Sequence, residues 1–228
     1  MKRLLIGVLA AVPLIALAHI SVGTGNGIAN ATQEVTLNVG HGCEGADTQS
    51  VKTTIPTGVT SVRAMTSDFG KATVVTNSAG IATAVQWDRP ASELLPVDTN
   101  YYKLTMRVKL PNAPFTIIYF PTEQTCPLAD GGTAVSLWTN TSGMDPQPGE
   151  PEEAPSVPIV PAHKPGWNKM AVPVAVDDVA VFFSDAQIVW RGTAAYSPNP
   201  SVTELISGTA GVTPLTSLAA GDEIWVKY

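Results

Sequence analysis

The chain has 228 residues, a formal net charge of −6 at pH 7, and 19 glycines and 19 prolines among many valines and threonines. An acidic balance argues against nucleic acid and anionic membranes as partners. After Ala18, no apolar run approaches the roughly 20 residues that a membrane helix needs. The composition instead favours strands joined by turns.

The first segment has the pattern of an export signal. Two basic residues precede an apolar run over 4–18, which ends in the small residues Ala16 and Ala18. We predict a signal peptide over 1–18 and a periplasmic mature protein that begins at His19. Loss of the two basic residues lowers the net charge by two, to −8. An N-terminal histidine offers two nitrogens to one metal ion, its α-amine and its ring Nδ1.

Alternating apolar and polar residues predict about eight short strands in the next part of the chain. The predicted strands are 35–39, 50–55, 59–65, 72–76, 81–87, 101–110, 115–120 and 134–138. The sequence Asn-Ser-Ala-Gly at 77–80 is typical of a hairpin turn. Short strands with short turns and no convincing helix predict an all-β, immunoglobulin-like Greek-key β-sandwich over 19–144.

The rest of the chain differs in composition. Proline and acidic residues are so dense over 145–158 that a linker or long exposed loop is expected there. We expect a small α+β extension over 159–228. Its predicted elements are strands at 172–176, 187–190 and 223–227, a helix over 179–183 capped by Asp177 or Asp178, and a helix that starts at a capping box at Ser201 and runs to Ile206, before Gly208 stops it.

Only two cysteines occur, Cys43 and Cys126. In an oxidising compartment such a pair predicts one disulfide. The alternative is a copper site made by the two thiolates.

No catalytic motif stands out, so we predict that the protein is not an enzyme. His41 and Glu44 lie in a glycine-rich turn, where they are either metal ligands or ordinary polar loop residues. Trp138 is either a core residue or an indole placed against a bound cation. His163 is expected to be structural. Nitrogen and carboxylate ligands without thiolate favour Cu(II) over Cu(I).

Three blocks of sequence occur in the order found in a known family. They are His-Ile-Ser-Val at 19–22, Gly-His-Gly-Cys-Glu-Gly at 40–45, and Gln-Thr-Cys at 124–126 leading through Asp-Gly to Trp138. Together they resemble the YcnI-like copper-binding family. The resemblance implies an exported immunoglobulin-like sandwich that takes part in bacterial copper handling. The segment 161–228 resembles an extension found in some proteobacterial members.

The family's site is a single-histidine brace, and the resemblance implies its residues here. His19 would give two nitrogens, Glu44 a carboxylate oxygen, and Trp138 would lie beside the metal. Glu123 is the alternative carboxylate, and His41 is a possible additional ligand.

The expected function is therefore that of an exported Cu(II)-binding protein for copper trafficking or buffering. Its expected partners are the copper ion and either a membrane copper transporter or another periplasmic copper chaperone. One alternative is a copper mono-oxygenase-like enzyme whose two-histidine brace would take His41 or His163 as its second histidine. Another is an adhesion or binding sandwich that holds no metal.

Overall fold

The structure is a computed structural model, and it describes residues 20–147 and 149–228. The predicted signal peptide, its cleavage site and His19 lie outside the described residues. In the first part of the chain the strands are β1 (Ser21–Val22), β2 (Gly27–Ile28), β3 (Thr32–Val39), β4 (Ser50–Thr54), β5 (Thr60–Ala64), β6 (Lys71–Thr76), β7 (Ala82–Asp88), β8 (Tyr102–Lys109), β9 (Ile117–Tyr119), β10 (Thr122–Pro127), β11 (Thr133–Asn140), β12 (Glu152–Glu153) and β13 (Ser156–Val160). A 3-10 helix spans Ala91–Glu93.

The later part of the chain is mixed. Its elements are β14 (Trp167–Ala171), α1 (Val179–Phe182), β15 (Ile188–Arg191), β16 (Ala194–Tyr196), α2 (Pro200–Gly208), β17 (Thr213–Pro214) and β18 (Glu223–Lys227). Within the described residues, no helix is long and apolar enough to cross a membrane.

Two sheets form the sandwich, in the orders β1-β3-β8-β5 and β12-β11-β10-β4-β7-β6. Every neighbouring pair in the first sheet is non-consecutive in the chain, and in the second sheet β4 lies between β10 and β7, as in Greek-key folds. The inward residues of both sheets share one core, which includes Val35, Leu37, Leu104, Met106, Val51, Val85 and Trp87, all fully buried. Each such side chain stabilises the fold by roughly 1.5–3 kcal/mol. The predicted immunoglobulin-like sandwich is confirmed.

The small α+β extension is also present, and it is not detached from the sandwich. Its sheet has the order β14-β18-β15-β16-β17. Phe115 and Val160 of the sandwich are buried in the core of the extension, where the Phe115 ring meets those of Phe182 and Phe183 at centroid distances of 5.9 Å. The two parts therefore share apolar contacts.

The structure differs from the predicted linker over 145–158. Glu152–Glu153 pairs with β11, and Ser156–Val160 pairs with β2 and β9. Val157 and Ile159 are fully buried in the sandwich core, while the proline between them is only partly buried. Alternation of inward and outward residues therefore outweighs the high proline content here.

Two predictions in the extension need correction. Residues 172–176 are not a strand, because Pro173 cannot donate to a sheet and only Val176 forms an isolated bridge, with Leu218. Helix α2 begins before the predicted capping box, since its N-cap is Asn199, whose side chain accepts a hydrogen bond from the Ser201 amide. The prediction of α1 is confirmed, with Asp178 as its cap.

Candidate functional site

The glycine-rich loop after β3 is a tight turn. The amide of Cys43 donates to the Ala46 carbonyl and the Ala46 amide donates to the Cys43 carbonyl, at 3.1 and 2.9 Å. Glu44 and Gly45 at the tip both have positive φ, 51° and 80°, as a type I′ turn requires. A side chain at Gly42 would have its Cβ 1.8 Å from the Ala46 carbonyl oxygen, so only glycine fits. The Glu44 side chain is exposed at this tip.

A disulfide fixes the loop to the second sheet. Cys43 and Cys126 are bonded, with their Cα atoms 5.6 Å apart and their positions separated by 83 in sequence. Both are buried. The predicted pairing is confirmed, and the thiolate copper site is thereby excluded.

Gln124, on β10, connects the loop to the predicted tryptophan. Its side chain is fully buried. The Nε2 amide group donates to the His41 carbonyl at 2.6 Å and to the Thr48 hydroxyl at 2.8 Å. Its Oε1 accepts from the Trp138 indole Nε1 at 3.3 Å. The backbone of His41 and the ring of Trp138 therefore lie on two sides of one amide, a connection that no motif in the sequence indicates.

Trp138 has a carboxylate beside it, Glu152, that is not among the ligands predicted from the sequence. Glu152 is the direct partner of Trp138 in the parallel pairing of β11 with β12, so both side chains leave the sheet on the same face. The Glu152 Oε2 atom is buried and has no hydrogen-bond partner among the described residues. An unpaired buried carboxylate oxygen is costly, and this makes Glu152 a candidate ligand for a cation.

A second carboxylate contacts the loop itself. Asp98 accepts a hydrogen bond from the Gly42 amide through Oδ2. Its Oδ1 is also buried and has no partner within the described part of the chain. The side chain of His41 turns back on the same segment, where its Nδ1 contacts the Gly42 carbonyl oxygen and leaves Nε2 for other partners.

The alternative carboxylate, Glu123, lies on the other face of the sheet. Thr122 is buried and pairs with Trp138, whereas Glu123 is exposed and pairs with Leu137 and Lys52. Because successive side chains of a strand point to opposite faces, Glu123 points away from Trp138.

The remaining histidine lies in the extension. The His163 ring stacks on the Tyr228 ring at a centroid distance of 3.6 Å, and its Nδ1 contacts the Pro161 carbonyl oxygen at 3.0 Å. These contacts agree with a structural role.

The described chain starts at the same end of the sandwich. Ser21 of β1 is opposite Asn38 near the end of the antiparallel strand β3. Ile20 therefore lies beside the end of β3, where the loop begins, and it is buried in the sandwich core. His19 is the residue before Ile20 and is not described. Among residues 20–147 and 149–228, no group of three or more His, Cys, Asp or Glu side chains could hold a metal ion.

A buried ion pair holds the residue that follows the turn, Asp47. Asp47 Oδ2 pairs with the Arg89 guanidinium and also accepts from the Leu95 amide at 2.8 Å. Asp47 Oδ1 accepts from the Tyr102 hydroxyl at 2.7 Å. Burial, followed by this hydrogen bond to Asp47, raises the pKa of Tyr102 to about 12. The loop is thus fixed at Cys43 by the disulfide and at Asp47 by charge.

Comparison with known proteins agrees with this architecture. A crystal structure of an uncharacterized protein from Nocardia farcinica, described as revealing an immunoglobulin-like fold, is similar with a TM-score of 0.50 and 25% identity, over 62% of this chain and 98% of that chain. Residues 19–160 match the family described as a domain of unknown function, DUF1775. The chain belongs to this family, and its resemblance to YcnI-like proteins is confirmed. No curated protein matches the chain.

Proposed function

We propose that the mature protein is an exported Cu(II)-binding protein that carries or buffers copper in the periplasm. His19 supplies its α-amine and Nδ1, a carboxylate supplies oxygen, and Trp138 lies beside the ion. The observation that carries the proposal is the buried Glu152 oxygen opposite Trp138, which has no hydrogen-bond partner among residues 20–147 and 149–228 and lies at the end of the sandwich where the described chain begins. The residues of this end fit a cation bound by nitrogen and oxygen.

We take Glu152 rather than Glu44 as the carboxylate ligand. Glu44 is exposed at the tip of a rigid turn, whereas Glu152 shares its sheet face with Trp138. The acidic groups around the loop, including Asp98, favour a cation over an anion at this end. Histidine nitrogen and carboxylate oxygen, with the only cysteines in a disulfide, favour Cu(II).

The polar network behind Trp138 has a positioning role in this proposal. The Gln124 Nε2 amide group donates both of its hydrogens, to the His41 carbonyl and the Thr48 hydroxyl. Its Oε1 atom accepts the hydrogen bond from the Trp138 indole. The ring orientation is thereby fixed by the same amide that holds the loop. Supporting hydrogen bonds of this kind orient the groups that contact a metal.

The proposal has no enzymatic step. A mono-oxygenase-like site would need a second ring ligand. His163 stacks on Tyr228 in the extension, and His41, whose Nδ1 contacts the Gly42 carbonyl oxygen, could offer only its Nε2, which the His41→Ala variant below tests. A protein that only binds and releases copper requires one partner that delivers copper to it and another that takes copper from it. We propose a membrane copper transporter or another periplasmic copper chaperone for these roles.

The test is a Cu(II) titration of the mature protein followed by electron paramagnetic resonance (EPR). We expect one tight site with nitrogen couplings from His19, which disappears in His19→Ala. Glu152→Gln lowers the affinity about tenfold or more, because an amide oxygen is a weaker ligand than a carboxylate. The matched control, Glu44→Gln, leaves the affinity unchanged.

Other outcomes separate the alternatives. If only Glu44→Gln weakens binding, the carboxylate is Glu44 and the copper function stands. If His41→Ala abolishes binding as His19→Ala does, the site is a two-histidine brace and the enzyme alternative replaces the proposal. If the mature protein binds no Cu(II), the proposal is wrong and a metal-free binding sandwich is favoured.

A further inference from the structure

The outward face of the extension's sheet carries three tryptophans on adjacent strands. In the register of β14, β18 and β15, Trp225 is directly opposite Lys169 on one side and Trp190 on the other. Trp167 is opposite Lys227, one diagonal step from Trp225. We call Trp167, Trp190 and Trp225 the aromatic strip.

The aromatic strip forms a cleft and is not part of the core. The three indoles line a cleft of about 330 Å³ by themselves. Trp167 and Trp225 are 54% and 49% exposed. The alternate residues of the same strands, Val189 and Ile224 among them, face inward and are fully buried. Large apolar side chains exposed together are typical of a binding site.

The area of the strip is too small for a stable contact with a second copy of the chain. An indole side chain presents roughly 200 Å², so three partly exposed rings offer about 250 Å² in all. A specific protein interface needs about 800 Å² from each partner. The strip is suited to a ligand with a small footprint.

The charges around the strip favour a neutral ligand. Lys169, which is opposite Trp225, and Glu223, two residues before Trp225 on β18, form an ion pair with Nζ and Oε1 2.8 Å apart. Among the described residues of β14 and β18, the only other charged side chain on this face is Lys227, which forms no salt bridge with a described residue. Anionic polymers and bilayers are bound by clusters of cations, which this face lacks within the described residues.

We propose that the aromatic strip binds a neutral polysaccharide of β-linked pyranose sugars. The faces of the indoles stack on the C–H faces of the sugar rings, while Lys169 and Glu223 offer a donor and an acceptor to ring hydroxyls. The strip crosses three strands, or about 10 Å, which accommodates two to three sugar rings. The strip lies beyond residue 160, outside the family match, and this binding is independent of copper.

The test is binding of the mature protein to cellulose and to chitin by sedimentation, and to soluble oligomers of both by calorimetry. A chelator is present throughout, so the result does not depend on copper. We expect binding to at least one of these glycans, an affinity at least tenfold lower for Trp225→Ala, and retention of most binding by Trp225→Tyr. Tyr101→Ala is the matched control, because Tyr101 is an exposed aromatic residue on the sandwich, 57% exposed, and its loss should change nothing.

Four results would overturn the proposal. The first is that the parent protein binds none of the glycans. The second is that a folded Trp225→Ala protein, checked by circular dichroism, binds as tightly as the parent. The third is a dimer in light scattering that Trp225→Ala dissociates, which would assign the strip to a second copy. The fourth is binding to proline-rich peptides without binding to glycans.

Discussion

Replacing Gln124 by leucine tests whether this one amide holds the loop and the tryptophan together. The change removes three hydrogen bonds, to His41, Thr48 and Trp138, while roughly preserving side-chain volume. Each bond contributes about 1 kcal/mol net, and all three partners are left without the amide. We therefore expect the free energy of unfolding to fall by about 3 kcal/mol or more.

The assay is urea unfolding followed by circular dichroism, with the disulfide intact. The control is Glu123→Gln, the next residue along β10, which is exposed on the opposite face and should change stability by less than about 0.5 kcal/mol. A loss below about 1 kcal/mol for Gln124→Leu would refute the idea that the network stabilises this end.

Other predictions concern the supports of the loop. Replacing Cys43 and Cys126 together by alanine should lower the free energy of unfolding by about 4–5 kcal/mol, measured by urea unfolding, and peptide mapping without reductant should find no free thiols in the parent. The raised pKa of Tyr102 makes the unfolded chain lose its proton first, so stability should fall as pH rises from about 10 to about 12, and Tyr102→Phe should flatten that part of a pH series of unfolding curves. Arg89→Met leaves the Asp47 carboxylate buried without its partner and should cost about 3–5 kcal/mol in the same assay, whereas a cost near zero would contradict the support assigned to this pair.

The sandwich was predictable because its central strands alternate cleanly. In β3, Val35, Leu37 and Val39 face the core while the residues between them are less buried. The β6–β7 hairpin was predictable for a local reason, since the Asn77 side chain accepts from the Ala79 and Ile81 amides within the predicted turn. Both signals come from residues near one another in sequence.

The candidate site was less predictable because its contacts are distant in sequence. Glu152 lies in a segment whose high proline content argues against strands, although β12 and β13 form there. Only the pairing of β12 with β11 places Glu152 beside Trp138. Gln124 occupies an inward position of β10, a strand too polar to be recognised by hydrophobic alternation. The motif favours Glu44 as a ligand, whereas the positive φ that puts Glu44 at the exposed tip depends on the hydrogen bonds between Cys43 and Ala46.

The central claim is that a free α-amine on His19 binds copper. The most direct measurement compares the Cu(II) affinity of the mature chain with that of the same chain carrying one additional glycine before His19, by competition with a chelator of known affinity. The added residue converts the amine to an amide and leaves residues 20–228 unchanged. We predict that the tight site is lost and that the nitrogen couplings in the EPR spectrum change. Equal affinity and an identical spectrum in the two proteins would contradict the claim.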